Sequence, residues 1–164
     1  MLNSKLGHKS AYIGVDPGSK GYLCLLVPET NLTEWCDFES TPPSFMVDWI
    51  KYYQKQYNIL KITIEDVHSL HGMSAKSNFM FGYNLGAVTY ICRASGIGVD
   101  KVAPKVWQKS IGIKPKSPSI KKDIAKICHT IYPKANIFGL RGGLKDGKSD
   151  SLMIAHYTFK QLTK

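Results

Sequence analysis

The sequence has no apolar run that approaches the roughly 18 residues needed for a membrane-spanning helix. Residues 1–10 also have no hydrophobic signal core, so we expect the protein to stay in the cytoplasm. No C-x-x-C pair is present, which argues against a zinc knuckle or a dithiol redox motif. The widely spaced cysteines, which we expect to be reduced and mostly buried, are Cys24, Cys36, Cys92 and Cys128.

Acidic residues are also scarce in this chain. It has 12 Asp and Glu against 22 Lys and Arg, for a formal net charge of +10 and a sequence pI near 9.4. This balance favours a polyanionic partner, because each basic contact to a phosphate releases counterions. The alternative is a basic surface that serves only solubility. The chain has 164 residues, of which 43% are hydrophobic, and this is enough for one globular domain with a buried core.

Hydrophobic periodicity predicts five short strands and five helices. The strands are expected at 12–15, 22–27, 32–38, 60–65 and 99–103, and the helices at 41–57, 77–95, 104–111, 119–131 and 149–162. The first three strands follow one another closely enough to form an antiparallel meander, whereas the later two each follow a helix and return as parallel neighbours. We therefore predict an α/β fold with a five-stranded mixed sheet flanked by helices. Residues 1–10 would form a polar arm, and residues 11–164 a single domain.

Several of the few acids stand where apolar elements end or begin. Asp16 closes the first strand, Glu65 closes the fourth, and Asp146 and Asp150 flank the predicted start of the last helix. Because the first and fourth strands would be neighbours, Asp16 and Glu65 should emerge side by side. Carboxylates buried together repel one another unless a cation compensates, and Mg²⁺ prefers such oxygen ligands. Two such ions can promote hydrolysis of a phosphodiester.

Each acid also has an ordinary structural interpretation. Asp16 and Asp146 precede glycine-containing turns and are good turn residues. Glu65 could be a solvated residue at the end of a strand, and Asp150 could have no role other than to complement the helix dipole. Asp66 is expected on the opposite face of its strand from Glu65, as a surface residue.

Four segments carry a further pattern: IGVDPGSKG at 13–21, IEDVH at 64–68, FGYNLG at 81–86 with VAPKVW at 102–107, and DGKSDSLMIA at 146–155. In this order they resemble RuvC-type Holliday junction resolvases, and the closing motif is most similar to that of the RuvC-like endonucleases of bacteriophages. The resemblance implies a ribonuclease H-like fold, a homodimer, and Mg²⁺-dependent nicking of branched DNA in recombination and repair in the bacterial cytoplasm. Mn²⁺ should be able to replace Mg²⁺. Carried over by position, the catalytic and metal-ligating residues would be Asp16, Glu65, Asp146 and Asp150.

Two positions depart from the pattern of that family. Bacterial resolvases typically place two acids three residues apart in the closing motif, whereas Asp146 and Asp150 are four apart. Trp107 stands where bacterial members have a basic residue near the scissile phosphate. The lysines that could take its place are Lys105, Lys109, Lys121 and Lys122.

Basic residues around the acids are the candidates for DNA contacts. We expect these contacts from His68, His71, Lys76, Lys105, Lys109, Lys116, Lys121 and Lys122. An imidazole on the loop after Glu65 could stack on a base or sugar. The alternatives are ordinary loop histidines and a solvated lysine face.

The long helix predicted at 77–95 carries an aromatic stripe, namely Phe79, Tyr83 and Tyr90. We expect these rings to pack within the protein rather than to stack on bases. Gly82 and Gly86 mark either a dimer face or a close approach to the sheet.

The favoured function is a structure-selective endodeoxyribonuclease, in which a homodimer places one site on each of two strands of a two-fold junction. One alternative is a non-catalytic branched-DNA-binding protein, and another is a ribonuclease H that acts on RNA–DNA hybrids. An ATPase or sugar kinase of the actin-like superfamily also opens with a strand and a D-x-G turn. This chain is too short for the two lobes of such a protein and has no P-loop motif.

Overall fold

The computed structural model of the protein describes residues 8–18, 20–68, 72, 74–114 and 117–164. The strands are β1 (Ser10–Asp16), β2 (Tyr22–Val27), β3 (Leu32–Asp37), β4 (Asn58–Glu65) and β5 (Val99–Val102). The helices are α1 (Pro43–Gln54), α2 (Ala75–Ala94), α3 (Pro104–Ser110), α4 (Ile120–Ile131) and α5 (Asp146–Leu162). Residues 1–7 of the predicted polar arm lie outside the described residues, and β1 begins inside the predicted arm. No described helix is long and apolar enough to cross a membrane.

The strands form one mixed sheet in the order β3-β2-β1-β4-β5. β1 pairs with β2, and β2 with β3, in antiparallel orientation, whereas β1–β4 and β4–β5 are parallel. The parallel pairs arise because α1 and α2 carry the chain back across the sheet before β4 and β5. The predicted five-stranded mixed sheet flanked by helices is confirmed.

The register of the two central strands brings their acids together. Val15 pairs with Ile64 in parallel alignment, so Asp16 and Glu65, the next residue of each strand, emerge at the same edge of the sheet. The sequence predicted this arrangement from strand order alone.

Apolar side chains cover both faces of the sheet. On one face, Tyr12 and Leu26 belong to a core with Leu152 of α5 and Ile124 of α4. On the other face, the core continues into α1 and α2. All four cysteines are free and buried, as expected. With both faces covered, the sheet edge at the ends of β1 and β4 is left as the place where polar chemistry can gather.

Gly14 sets how closely α5 packs on β1. A Cβ added at this position would lie 2.0 Å from the carbonyl oxygen of Ser151 and 2.4 Å from the backbone nitrogen of Ala155. Real Cβ atoms do not approach backbone this closely, so any side chain here would push α5 away from the sheet.

Gly14→Ala should therefore destabilise the fold by about 3 kcal/mol or more, because a well-packed core does not accept added volume. Thermal unfolding monitored by circular dichroism would show a midpoint lowered by roughly 6–12 °C. The matched control is Gly82→Ala in α2, where a Cβ meets no described atom within 4 Å. Its midpoint should stay the same or rise, since alanine favours helix. Equal midpoints for Gly14→Ala and wild type would contradict the packing argument.

Two helices begin earlier than predicted. The Ser74 hydroxyl accepts a hydrogen bond from the Ser77 backbone N–H at 3.1 Å, so α2 begins at Ala75 rather than at 77. α5 begins at Asp146 rather than at 149, and the Ser149 hydroxyl donates back to the Asp146 carbonyl at 2.8 Å. The placement of Asp146 in a loop is therefore wrong: it lies one helical turn before Asp150, on the same face.

The aromatic stripe of α2 points outward. Phe79, Tyr83 and Tyr90 are 72%, 64% and 75% exposed, so the expectation that they pack within the protein is wrong for the single chain. A Cβ at Gly82 or Gly86 would meet no described atom within 4 Å, which also excludes a close approach of these glycines to the sheet. The stripe is therefore an exposed aromatic face within the part of the chain that the structure describes.

Candidate active site

Four carboxylates gather where β1, β4 and α5 meet. Asp16 and Glu65 end the two central strands, and Asp146 and Asp150 lie on the first two turns of α5. Gly147 allows the close approach, since a Cβ there would lie 2.9 Å from the Lys20 carbonyl oxygen and 3.0 Å from Oδ2 of Asp16. The N-terminus of α5 therefore packs directly against the carboxylate that ends β1.

These acids have perturbed pKa values because they are partly buried and face one another. Burial raises the pKa of Asp16 to about 6, and Asp146 adds to the effect by repulsion. Burial and the charge of Asp16 raise the pKa of Glu65 to about 7. Burial, followed by repulsion from Asp16, Glu65 and Asp146, raises the pKa of Asp150 to about 8. Burial and mutual repulsion thus disfavour the charged forms of these three carboxyl groups, and such perturbed pKa values are common at functional sites.

Protein donors hold two of the carboxylates in place. The Gly18 backbone N–H donates to Oδ1 of Asp16 at 3.0 Å. The indole N–H of Trp107, whose side chain is fully buried, donates to Oε1 of Glu65 at 2.9 Å. Each bond also opposes the rise in pKa of its carboxyl group. Both acids are therefore oriented through one oxygen.

The role of Trp107 was missed in the sequence. The sequence showed Trp107 only as a departure from the family pattern, at a position where bacterial members have a basic residue. The signal that could have found the contact is general: a buried tryptophan N–H usually finds an acceptor, and Glu65 ends the strand next to β5, from which Trp107 follows.

Lys121 is the lysine that the structure brings to the acids. From the first turn of α4, its ammonium group donates to Oδ2 of Asp146. This pair lowers the pKa of Asp146 and raises that of Lys121, which also senses Asp150 and Asp16. Among the described residues, no other lysine proposed to replace the basic residue forms an ion pair with these four acids.

The donor set suits a hard divalent cation. All four side chains offer oxygen ligands, and Oδ1 of Asp150 is buried without a hydrogen-bond partner among the described residues. In the part of the chain that the structure describes, no three potential ligands form a ready-made metal site. The oxygen donors of the cluster are of the kind that Mg²⁺ and Mn²⁺ prefer, and one of them, Asp146, is paired with Lys121.

Lys121→Gln should raise the affinity for Mn²⁺ and Ca²⁺ by about 2- to 5-fold, because it removes a cation that competes for Asp146. Isothermal titration calorimetry of the DNA-free protein would measure the change. Lys126→Gln, on an exposed position of the same helix, is the matched control and should leave the affinity unchanged. Weaker metal binding by Lys121→Gln would show that Lys121 supports the ligands rather than competing for one.

The other proposed DNA contacts lie around this edge of the fold or outside the described residues. Lys76, Lys105, Lys109 and Lys122 are exposed, on the first turns of α2 and α4 and along α3. His68 is exposed and lies 3.9 Å from a carboxylate oxygen of Asp66. That acid also pairs with Lys101 and is a surface residue, as expected. His71 and Lys116 fall outside the described residues.

Comparison with known proteins gives fold similarity without sequence similarity. No protein-family model and no curated protein match the sequence. The solved structure of Thermus thermophilus RuvC in complex with a Holliday junction substrate matches with a TM-score of 0.61 at 14% identity, covering 93% of this chain and 96% of that chain. A second Thermus thermophilus RuvC structure matches with a TM-score of 0.60 at 14% identity, covering 93% and 97%.

The yeast mitochondrial Holliday junction resolvase Ydc2 also matches, covering 92% of this chain and 78% of that chain at 18% identity, but its TM-score of 0.42 carries no argument. The similarity to the two RuvC structures confirms the ribonuclease H-like fold. The relation to bacteriophage endonucleases and the assignment of individual site residues stay predictions.

Proposed function

We propose that this protein is a metal-dependent endodeoxyribonuclease that nicks four-way junctions and other branched DNA. The carrying observation is the convergence of three carboxylates with raised pKa values, Asp16, Glu65 and Asp150, on a chain with a net charge of +10. A cluster of acids is unexpected in such a basic protein, and a role in the cleavage of a bound polyanion would explain it. The ribonuclease H-like fold supports the proposal, since one matching structure holds a Holliday junction.

The chain's own residues define the catalytic arrangement. Asp16, Glu65 and Asp150, with Asp146 at the edge, would hold the divalent cations, which when bound would activate water and stabilise the leaving oxygen of a phosphodiester. The N–H groups of Gly18 and Trp107 each engage one oxygen of a carboxylate and keep it oriented. Lys121, when released from Asp146, would be free to face a phosphate.

The exposed face of α2 supports the homodimer that the resemblance implied. Phe79, Tyr83 and Tyr90 form an aromatic surface that the single chain leaves in solvent. Such patches commonly mark protein contacts. We propose that two copies meet through this face, with the nuclease domain spanning residues 11–164 of each. A two-fold dimer would present two active sites to a two-fold junction.

Metal dependence provides the direct test of the activity. Labelled four-way, forked, flapped and linear DNA should be incubated with Mg²⁺, Mn²⁺, Ca²⁺ or chelator, alongside an RNA–DNA hybrid. We expect nicking of branched DNA with Mg²⁺ or Mn²⁺, and binding with little cleavage in Ca²⁺, whose looser coordination aligns the reaction poorly. Full cleavage in chelator would exclude the metal mechanism. Preferential cleavage of the hybrid would favour a ribonuclease H, and binding without cleavage would favour a non-catalytic protein.

A further inference from the structure

A cavity of about 740 Å³ lies beside the acid cluster, between the β2–β3 edge and the segment that joins α4 to α5. Tyr22, Asp37 and Lys145 line this cavity and also line a small neighbouring cavity that reaches Asp146 and Gly147. The two cavities therefore adjoin one another, and the smaller one connects the larger to Asp146 at the edge of the acid cluster. Its volume is within the range of about 300–1,000 Å³ that is typical of sites for small ligands.

The walls of the cavity combine rings with positive charge. Tyr22, Trp35 and Phe138 contribute aromatic side chains. The cations on the same wall are Arg141, Lys145 and Lys148, opposed by the single acid Asp37. Sites for single-stranded nucleic acid have this composition, because rings stack on bases of any sequence while cations follow the backbone.

The floor of the cavity is fixed before any ligand arrives. The indole N–H of Trp35 donates to the Lys148 carbonyl at 3.2 Å, which ties β3 to α5. The Lys148 ammonium lies 5.0 Å from the centre of the Trp35 ring and donates to the Asn136 carbonyl at 3.1 Å. A site held in this way loses little conformational freedom on binding.

The outer wall is a small ordered hairpin. Phe138 bridges Leu144, and the Gly139 N–H donates to the Gly143 carbonyl at 2.8 Å. At its tip, Leu140 is fully exposed and Arg141 is exposed. Leu144 packs against the core, but Leu140, Arg141 and Phe138 of this hairpin are exposed, and exposed side chains of this kind favour a binding role.

We propose that this cavity binds an unpaired nucleotide of the DNA strand next to the scissile phosphate, with the base against Phe138 and the backbone contacted by Arg141 and Lys145. The inference rests on the proposed function, since it takes the acids as the cutting site. A base inside a duplex has both faces stacked and cannot enter the cavity. Bases at the centre of a junction or fork can unstack at low cost, so this site would contribute to the selection of branched over linear DNA.

The test combines cavity variants with abasic DNA. Single abasic residues are placed in turn around the nicking position of a fluorescent four-way junction, and dissociation constants are measured in Ca²⁺ for wild type, Phe138→Ala, Phe138→Tyr and Arg141→Ala. For wild type, one abasic position should weaken binding by about 5-fold or more, the lower end of the effect of losing one stacked base. Phe138→Ala should weaken binding of intact junctions similarly and be insensitive to that abasic position, whereas Phe138→Tyr keeps the ring and should behave as wild type.

The matched control for Arg141→Ala is Lys51→Ala, which removes an exposed cation on α1 at the other face of the sheet. Arg141→Ala should weaken junction binding more than this control. The cavity proposal is wrong if every abasic position has the same effect in wild type and Phe138→Ala, and if Arg141→Ala and Lys51→Ala bind alike.

Binding of a fluorescent oligothymidylate separates the two proposals. If wild type cuts no branched DNA with Mg²⁺ or Mn²⁺, the proposed function fails. A loss of oligothymidylate binding in Phe138→Ala, but not in Phe138→Tyr, would still establish the nucleotide site. Conversely, normal cleavage by wild type with unchanged oligothymidylate binding in Phe138→Ala would overturn the cavity proposal alone.

Discussion

Asp16→Asn is expected to abolish nicking of a four-way junction, lowering the single-turnover rate by at least about 10³-fold, or about 4 kcal/mol in the barrier. The reason is the position of Asp16 within the cluster. Its charge raises the pKa of both Glu65 and Asp150, so it lies within electrostatic reach of each. Asparagine keeps the size of the side chain and its acceptor oxygen for the Gly18 N–H, but it removes the charge that a divalent cation needs.

Binding of the junction by Asp16→Asn should change by less than about 3-fold in Ca²⁺, because phosphate contacts by lysine and arginine supply most of the affinity. A gel-shift measurement beside the cleavage assay separates the two effects. The matched control is Asp66→Asn, which changes an acid at the end of β4 that pairs with His68 and Lys101 on the surface. This control should cut as wild type does. Cleavage by Asp16→Asn within about tenfold of wild type would contradict a ligand role, because losing a metal-ligand charge costs more than 1.4 kcal/mol.

The sheet and two of the four acids could be predicted because local rules determine them. Buried apolar strands, short connections and helical crossovers are enough to fix the order of β1 and β4. The side-by-side position of Asp16 and Glu65 follows from that order.

The start of α5 could not be predicted in the same way, because a glycine at position 147 disfavours a helix and predicts a turn. In the structure this glycine serves a tertiary contact instead, since any Cβ would press on the Lys20 carbonyl and the Asp16 carboxylate. A glycine selected for close approach and a glycine selected for a turn look the same in one sequence.

Contacts between elements that are distant in the chain also could not be predicted from the sequence. The bond from Trp107 to Glu65 and the ion pair from Lys121 to Asp146 join residues on different elements, and neither periodicity nor spacing records them. The expectation that the aromatic stripe of α2 packs within the protein was wrong for another reason. Helical spacing shows that Phe79 and Tyr83 share a face, but it cannot show whether that face is buried or exposed in the folded chain.

Asp150→Asn and Asp146→Asn should have opposite effects on the metal-free protein. Asp16, Glu65 and Asp150 have folded pKa values of about 6, 7 and 8, above their ordinary values. For such groups, stability is fully present below about pH 4 and is lost as the pH rises through the folded pKa values. At pH 8 in chelator, Asp150→Asn removes the carboxyl group whose pKa is raised most, and it should raise the unfolding midpoint by roughly 3–6 °C. At pH 4 it should equal wild type.

The contribution of Asp146 to stability depends on pH in the opposite direction, because its ion pair with Lys121 lowers its pKa. Its contribution to stability is present above its ordinary pKa and is lost as the pH falls through the lowered one. Asp146→Asn should therefore lower the free energy of unfolding at pH 8 by no more than about 1 kcal/mol, as for other exposed ion pairs, which lowers the unfolding midpoint by at most roughly 2–4 °C.

The loss of nicking activity should be greater for Asp150→Asn than for Asp146→Asn, although Asp150→Asn is expected to be the more stable protein. Asp150 is held on the second turn of α5 near the strand acids, and its buried Oδ1 has no hydrogen-bond partner among the described residues. Asp150→Asn should be inactive at every metal concentration and should lose the stabilisation that Mn²⁺ gives wild type. Asp146 is more exposed and is already engaged by Lys121, so Asp146→Asn should need more metal and recover in part at high Mn²⁺. If Asp146→Asn is dead throughout the titration while Asp150→Asn cuts normally and is not stabilised in chelator, then Asp146 is the principal ligand of α5. In that case the raised pKa of Asp150 reflects only its buried position beside the other acids and not a ligand role.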